Sequence, residues 1–453
     1  MAGETYPLPA RPRLRAVEPA WVLYEGEPRL WLRDPLELTD RTALIPRALV
    51  PLLAALDGTR DLGAIRRAYA LSTGVFLPDH VLETVLGALD EALLLDSPRL
   101  APAKQQAIAA FRELPFRPPA LVGRSYPAAP DELDALFDAF TTAAGDLAPS
   151  RRRPHQVSDV GPPLQPRLTL PAVAPLRPID RAAGLISPHI DYARGGPVYA
   201  ATWQAAAPAV ASAEVVVIFG TDHHGSAGRL TPTPQRYATP WGVLPADDAV
   251  TRAVAEALGA DIASDEELHH RREHSIELAA VWLHWTLRRA GVTRLPAVVP
   301  VLCGSFHCYV AHEPGQTPAT PDDDACAGAA LDALVGALGG RRTLVVSAAD
   351  LAHVGPAFGD PAPLTARDKV ALAASDAALL AQACRGEAAP FLAELRAERD
   401  RRRVCGLPPT YWALRLLEAL AGRPLPGRLA GYDVCPADAN AGSVVSIAGL
   451  LWE

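Results

Sequence analysis

Four short segments carry residues whose types and spacing suit chemistry. Pro188-His189-Ile190-Asp191-Tyr192 follows the apolar run at 184–187, and Asp222-His223-His224-Gly225 follows the run at 215–220. Cys303-Gly304-Ser305 closes the run at 297–302, and Asp350-Leu351-Ala352-His353 closes the one at 343–347. Three of these four ends set a histidine beside an aspartate or a second histidine. Neutral imidazole suits iron, copper or zinc, whereas magnesium and calcium take all-oxygen sites. A carboxylate near an imidazole fixes its tautomer, and Asp191, Asp222 and Asp350 are the candidates for that role. One histidine near a glycine turn is ordinarily a loop or capping residue; recurrence at equivalent strand ends is what argues for a site. Consecutive strand residues face opposite ways, so His223 and His224 share a site only if the turn has already begun. Asp350 and His353, three apart, either line one pocket or hydrogen-bond each other.

A rival motif lies at His270-Arg271-Arg272-Glu273-His274, which fits the H-x-x-E-H pattern of inverted zinc peptidases. That chemistry needs both histidines on one helical face, and a helix over 266–289 would supply it. A solvated charged turn is the plainer reading, with Glu273 and Glu277 as helix-surface charges.

The elements that must position these residues are those of an α/β domain. Short strand-length runs recur from 183 onward, the last at 443–448, with amphipathic helices between most of them, at 248–258, 266–289 and 366–382. Buried strands alternating with helices predict a mixed central sheet covered on both faces, whose ligands bind outside the carboxyl ends of the strands. A helix within 123–140, with Leu133, Leu136, Phe137 and Phe140 on one face, belongs with this domain, and the Pro-rich stretch 151–178 reads as a long loop inside it. The α/β domain is therefore set at 120–453. Before it, residues 18–100 form a separate block of short strands, then two amphipathic helices, then a terminal LLLDS strand, with Asp79 as an N-cap after Pro78.

At 453 residues, the chain exceeds what one core ordinarily holds, which agrees with two domains. The net charge of −8 sets no phosphate-seeking field, which argues against nucleic acid as a partner. The N-terminal stretch lacks the apolar core of a signal peptide, and no run approaches a membrane span of about eighteen apolar residues. Six scattered cysteines without a CxxC pair read as reduced thiols in a cytoplasmic protein, Cys405 included.

The ordered set PHIDYARGGP, GTDHHG, RYATPWG, HSIEL, VPVLCG, SAADLAHVG, VCGLPP and GSVVSIAGLLW, spread over roughly 120–453, resembles the Memo family, whose prokaryotic members include AmmeMemoRadiSam system protein B. The resemblance implies a fold similar to class III extradiol dioxygenases and one transition metal, iron or copper ahead of zinc, on His189, His223 and Cys405. It implies Asp350 and His353 in the same pocket and His274 or Glu277 near it; His353 is expected as acid or base there, since imidazole titrates near neutral pH, and Asp191, Tyr192 and His224 as further lining. Two departures bear on the substrate: Asp191 stands where the family has glycine, and Leu407 where it has arginine. Residues 18–100 resemble PqqD-like winged-helix domains, which recognise peptides in radical-SAM maturation systems. Together these imply metal-dependent redox chemistry in a peptide or small-molecule maturation pathway, with a radical-SAM enzyme and a leader peptide as partners. The alternatives are a non-catalytic adaptor that presents a leader peptide and the zinc peptidase above.

Overall fold

A computed structural model describes residues 6–146, 176–311 and 319–453, so most of the Pro-rich stretch 151–178 lies outside the described residues. The chain divides into two units, Met1–Leu114 and Pro115–Glu453. The first carries an antiparallel sheet of β1 (Glu18–Tyr24), β2 (Glu27–Arg33) and β3 (Ala43–Pro46), then helices α1 (Val50–Leu53), α2 (Leu62–Thr73), α3 (Asp79–Glu91) and α4 (Leu100–Glu113). Two local expectations fail here. Asp79 is the first residue of α3 and caps nothing, since Pro78 takes the cap position without a side-chain bond. The LLLDS run is no strand: Leu95 makes a single bridge to Leu14.

The second unit begins with α5 (Pro130–Asp146), β4 (Gly184–Ser187), α6 (Tyr192–Ser212), β5 (Val215–Thr221), β6 (Leu230–Pro232), β7 (Ala238–Thr239) and β8 (Gly242–Val243). It continues through α7 (Asp248–Leu258), α8 (Ala260–Asp265), α9 (His274–Arg289), β9 (Ala297–Cys303), α10 (His307–Val310), α11 (Ala325–Leu338), β10 (Thr343–Ala348) and β11 (His353–Val354). It closes with α12 (Ala366–Arg385), α13 (Ala388–Ala397), α14 (Leu407–Ala421), β12 (Gly427–Pro436) and β13 (Val444–Trp452).

Its sheet is mixed, as expected. β4, β10, β5 and β9 lie side by side and parallel, β13 runs antiparallel to β4, and β6 closes the far edge antiparallel to β9. Every residue of β5 is buried, and alternation along it sorts the faces. Val215, Val217 and Phe219 pack with α7, α11, α13 and α14, while Val216 and Ile218 pack with α5, α6 and α9. Strand β12 pairs with β13 over almost its whole length; its Gly-Tyr-Asp-Val-Cys run has too weak an apolar signature to stand out in sequence.

The expected helix over 266–289 is broken. A 3₁₀ turn covers Glu267–Arg271, Glu273 adopts extended backbone at φ −63° and ψ 130°, and α9 starts afresh at His274. His270 and His274 therefore do not share a helical face, and the peptidase geometry is absent.

Candidate metal centre

Strands β4, β10 and β5 are adjacent and parallel, so residues just past their carboxyl ends meet in one crevice. His189, Asp350 and His223 each stand two residues beyond their strand. His274, on the first turn of α9, joins them from the covering layer. The rings of His189 and His223 lie 5.2 Å apart between centroids, those of His189 and His274 5.3 Å, and those of His223 and His274 4.8 Å. One ligand nitrogen from each of these histidines lies within 4.8 Å of the other two, a group able to hold a metal ion.

The hydrogen bonds decide which nitrogens these are. His189 Nδ1 sits 2.9 Å from the Ala348 carbonyl oxygen, which only accepts, so the proton is on Nδ1 and Nε2 faces the crevice. His223 and His274 both turn Nδ1 to the carboxylate of Glu273, each at 3.0 Å. Glu273 also accepts the backbone N–H of His223 at 3.1 Å, of His274 at 2.7 Å and of Ser275 at 3.0 Å. One buried carboxylate, serving as the N-cap of α9, thus sets the tautomer of two imidazoles and leaves both Nε2 atoms for a ligand. On the other side, Asp350 Oδ1 accepts the N–H of His189 at 2.8 Å and of Ile190 at 3.2 Å.

Cys405 lies beside His189, outside the group of three histidines. Its Sγ lies 3.2 Å from His189 Nε2, its carbonyl accepts the Thr221 hydroxyl at 3.0 Å, and Gly406 N–H donates to Asp350 O at 3.0 Å. The loop before it holds Arg399, Asp400 and Arg403 at φ of 54°, 45° and 53°, left-handed conformations that side chains rarely adopt and that cluster at functional sites. Asp400 accepts the Val404 N–H at 2.8 Å, and Arg403 is paired with Asp360, so the strained turn is tied down on both sides.

Charge balance follows the geometry. Burial works against the His189 imidazolium, but the Asp350 carboxylate and the Cys405 sulfur outweigh it and push its pKa up to about 9. Burial likewise opposes His223, and Glu273 outweighs it, raising the value well above the ordinary one. Burial raises Glu273 and Cys405, yet His223 and His274 hold the carboxylate far below its usual range, and His189 and His353 do the same for the thiol. With Nδ1 of His189 committed to a carbonyl, its titrating proton sits on Nε2 beside the sulfur, where a metal would displace it.

A cleft of about 450 Å³ opens over this centre. His189, His223, His274, Asp350, His353 and Asp191 line it. His353 Nδ1 lies 3.2 Å from the Leu351 carbonyl, which leaves Nε2 for the cleft. Asp191 caps α6 through Arg194 N–H at 3.1 Å and pairs with the Arg194 guanidinium, so its charge is already answered.

Three expected lining residues are elsewhere. Tyr192 is fully buried in the aromatic core, its hydroxyl donating to Leu278 O at 2.7 Å. His224, in the bend after β5, is exposed and does not line the cleft. Glu277 lies behind the centre, accepting Ala120 N–H at 2.8 Å, Leu121 N–H at 2.9 Å and the Tyr126 hydroxyl at 2.6 Å, and paired with the buried Arg117. Neither Glu273 nor Glu277 is the surface charge expected of them: their relative exposures are 5% and 1%. Their signal in the sequence was position, Glu273 immediately before the apolar run of α9 and Glu277 one helical turn on. His270 is no ligand, for Nδ1 is bonded to the Tyr237 hydroxyl at 2.8 Å and Nε2 to Thr231 O at 2.7 Å. Asp222, Glu266 and His269 form a second close group, but His269 Nδ1 is bonded to Asp222 at 2.8 Å and Glu266 takes the Ser226 N–H at 3.0 Å.

Residues 117–451 match the family described as Memo-like protein. A MEMO1 family protein of Aquifex aeolicus is 24% identical over 423 residues, covering 93% of this chain and 95% of its own. That alignment is longer than Pro115–Glu453 and so extends into the N-terminal unit. A MEMO1 family protein of Thermus thermophilus is 28% identical over 361 residues, 79% of this chain and 90% of that one. One from Methanopyrus kandleri is 26% identical over 244 residues, 53% and 70% of the two chains. With the family matched along nearly all of the unit that carries the histidine centre, the chain belongs to the Memo family.

Proposed function

We propose that this protein holds one transition metal ion, iron or copper ahead of zinc, and performs metal-dependent redox chemistry on a small molecule or peptide in a maturation pathway. The observation that carries the reading is the convergence of three imidazoles whose Nδ1 atoms are committed to protein acceptors, with a thiol 3.2 Å from one of them. His189, His223 and Cys405 are the donors proposed, with His274 beside them; the soft sulfur donor with imidazole favours iron and copper. When bound, such an ion supplies redox chemistry and a coordination position open to a substrate.

The chain's own groups do the rest. Asp350 holds the His189 backbone in place, Glu273 orients His223 and His274, and His353 Nε2 takes or gives a proton at the cleft. Leu121, Leu278 and Phe358 give the cleft apolar walls beside the histidines. A radical-SAM enzyme and a leader peptide remain the proposed partners, on the resemblance of the N-terminal block to PqqD-like domains. Metal analysis after anaerobic purification tests the reading: wild type is expected to carry close to one iron or copper per chain and His189→Ala almost none. Equal, negligible contents in both would sink it.

A further inference from the structure

Residues 115–126 form a strap from the head of the second unit to α5, and two of them, Leu121 and Ser125, line the cleft. Arg117, fully buried within it, is the origin of its attachment. Its backbone exchanges bonds with the residues on either side of Tyr237, at the start of β7: Arg117 N–H to Arg236 O at 2.7 Å and Ala238 N–H to Arg117 O at 3.1 Å. Its guanidinium donates to three acceptors on the metal side: His270 O at 2.8 Å through Nε, Glu273 O at 3.0 Å, and the Glu277 carboxylate. The face of the group lies 4.8 Å from the Tyr237 ring centre.

The two carbonyls are the significant partners. They flank the break at which the 3₁₀ turn ends and α9 begins, and that break is what brings Glu273 to the cap position with His223 and His274 on its carboxylate. Glu277 in turn takes two strap amides and the Tyr126 hydroxyl. The same guanidinium thus grips the backbone of the residue that orients two metal donors and the carboxylate that anchors one wall of the substrate cleft. We infer that Arg117 is a positioning residue that couples the strap wall of the cleft to the His223–His274 half of the metal centre. Only a planar fork with donors in three directions makes these contacts together; a lysine ammonium keeps the charge without the fork.

This inference rests on the metal reading above, and the two fail differently. Hydrogen exchange is followed on the unaltered protein with and without added Co²⁺, used as a spectroscopic stand-in. Coupling is reciprocal, so binding at the histidines must slow exchange at the Ala120 and Leu121 amides as well as at His274 and Ser275. Slowing confined to 274–275 overturns the inference and leaves the metal centre standing; no Co²⁺ uptake at all removes both. Arg117→Lys gives the second measurement. Its Co²⁺ affinity is expected to fall by about 10–100-fold, the range for residues that orient metal ligands, with altered ligand-field bands. An unchanged affinity and spectrum in a folded Arg117→Lys protein would also overturn it.

Discussion

At the residue scale the centre depends on hydrogen-bond direction more than on proximity. A glutamate carboxylate accepts from both Nδ1 atoms, whereas a glutamine amide offers one acceptor and one donor. Glu273→Gln therefore leaves one imidazole facing an N–H and turns its ring or its tautomer. Metal affinity is expected to fall by about 10–100-fold, measured by competition with a chelator, and unchanged affinity would remove Glu273 from this role. His270 makes a separate prediction. Burial holds its pKa down, to about 4. The folded value is depressed below the unfolded one of about 6.5, so the neutral form's contribution is complete above pH 6.5 and is lost as pH falls toward 4. Stability should drop by about 3 kcal/mol across that window, at about 1.4 kcal/mol per pH unit for one group. Urea midpoints at stepped pH read this slope, and a His270→Gln protein should show a flatter one. His189 and His223 were legible because each follows an apolar strand; Glu273 showed only its position ahead of the apolar run of α9, because its burial comes from folding.

At the element scale the strands were readable and the covering helices only partly so. Runs such as Val215–Phe219 are apolar at every position because helices cover both faces, and such runs announce themselves. The break before α9 did not, since the charged residues at 266–273 fit a helix as well as a turn, and the cap by Glu273 and the bonds from Arg117 that accompany the break are tertiary. The packing of α5 on α9 rests on Phe137, stacked on Trp282 with ring centres 4.0 Å apart and an interplanar angle of 5°. Phe137 is fully buried, so Phe137→Ala is expected to cost about 3–5 kcal/mol in the second unit. Thermal unfolding of that unit checks it, and a loss under about 1 kcal/mol would mean the helix packs by other contacts.

At the scale of the whole molecule, every metal-site and cleft residue lies within Pro115–Glu453. A protein trimmed to 115–453 is expected to fold and keep the metal content of the full chain, while losing capture of a leader peptide or radical-SAM partner. Loss of metal along with the N-terminal unit would contradict that division, and unchanged partner capture would remove the recognition role from residues 18–100. Periodicity, motif order and charge by themselves determined the mixed α/β sheet, the strand ends that bear chemistry and the family, because each is a local property of consecutive residues. Tertiary structure alone decided that His274 stands beside His189 and His223, that Tyr192 and Glu277 do not line the cleft, and that Glu273 and Arg117 lie behind these histidines. These last depend on which backbone groups are left without water and which side chains reach them. That pairing is made across 156 residues between Arg117 and Glu273, and no local pattern carries it.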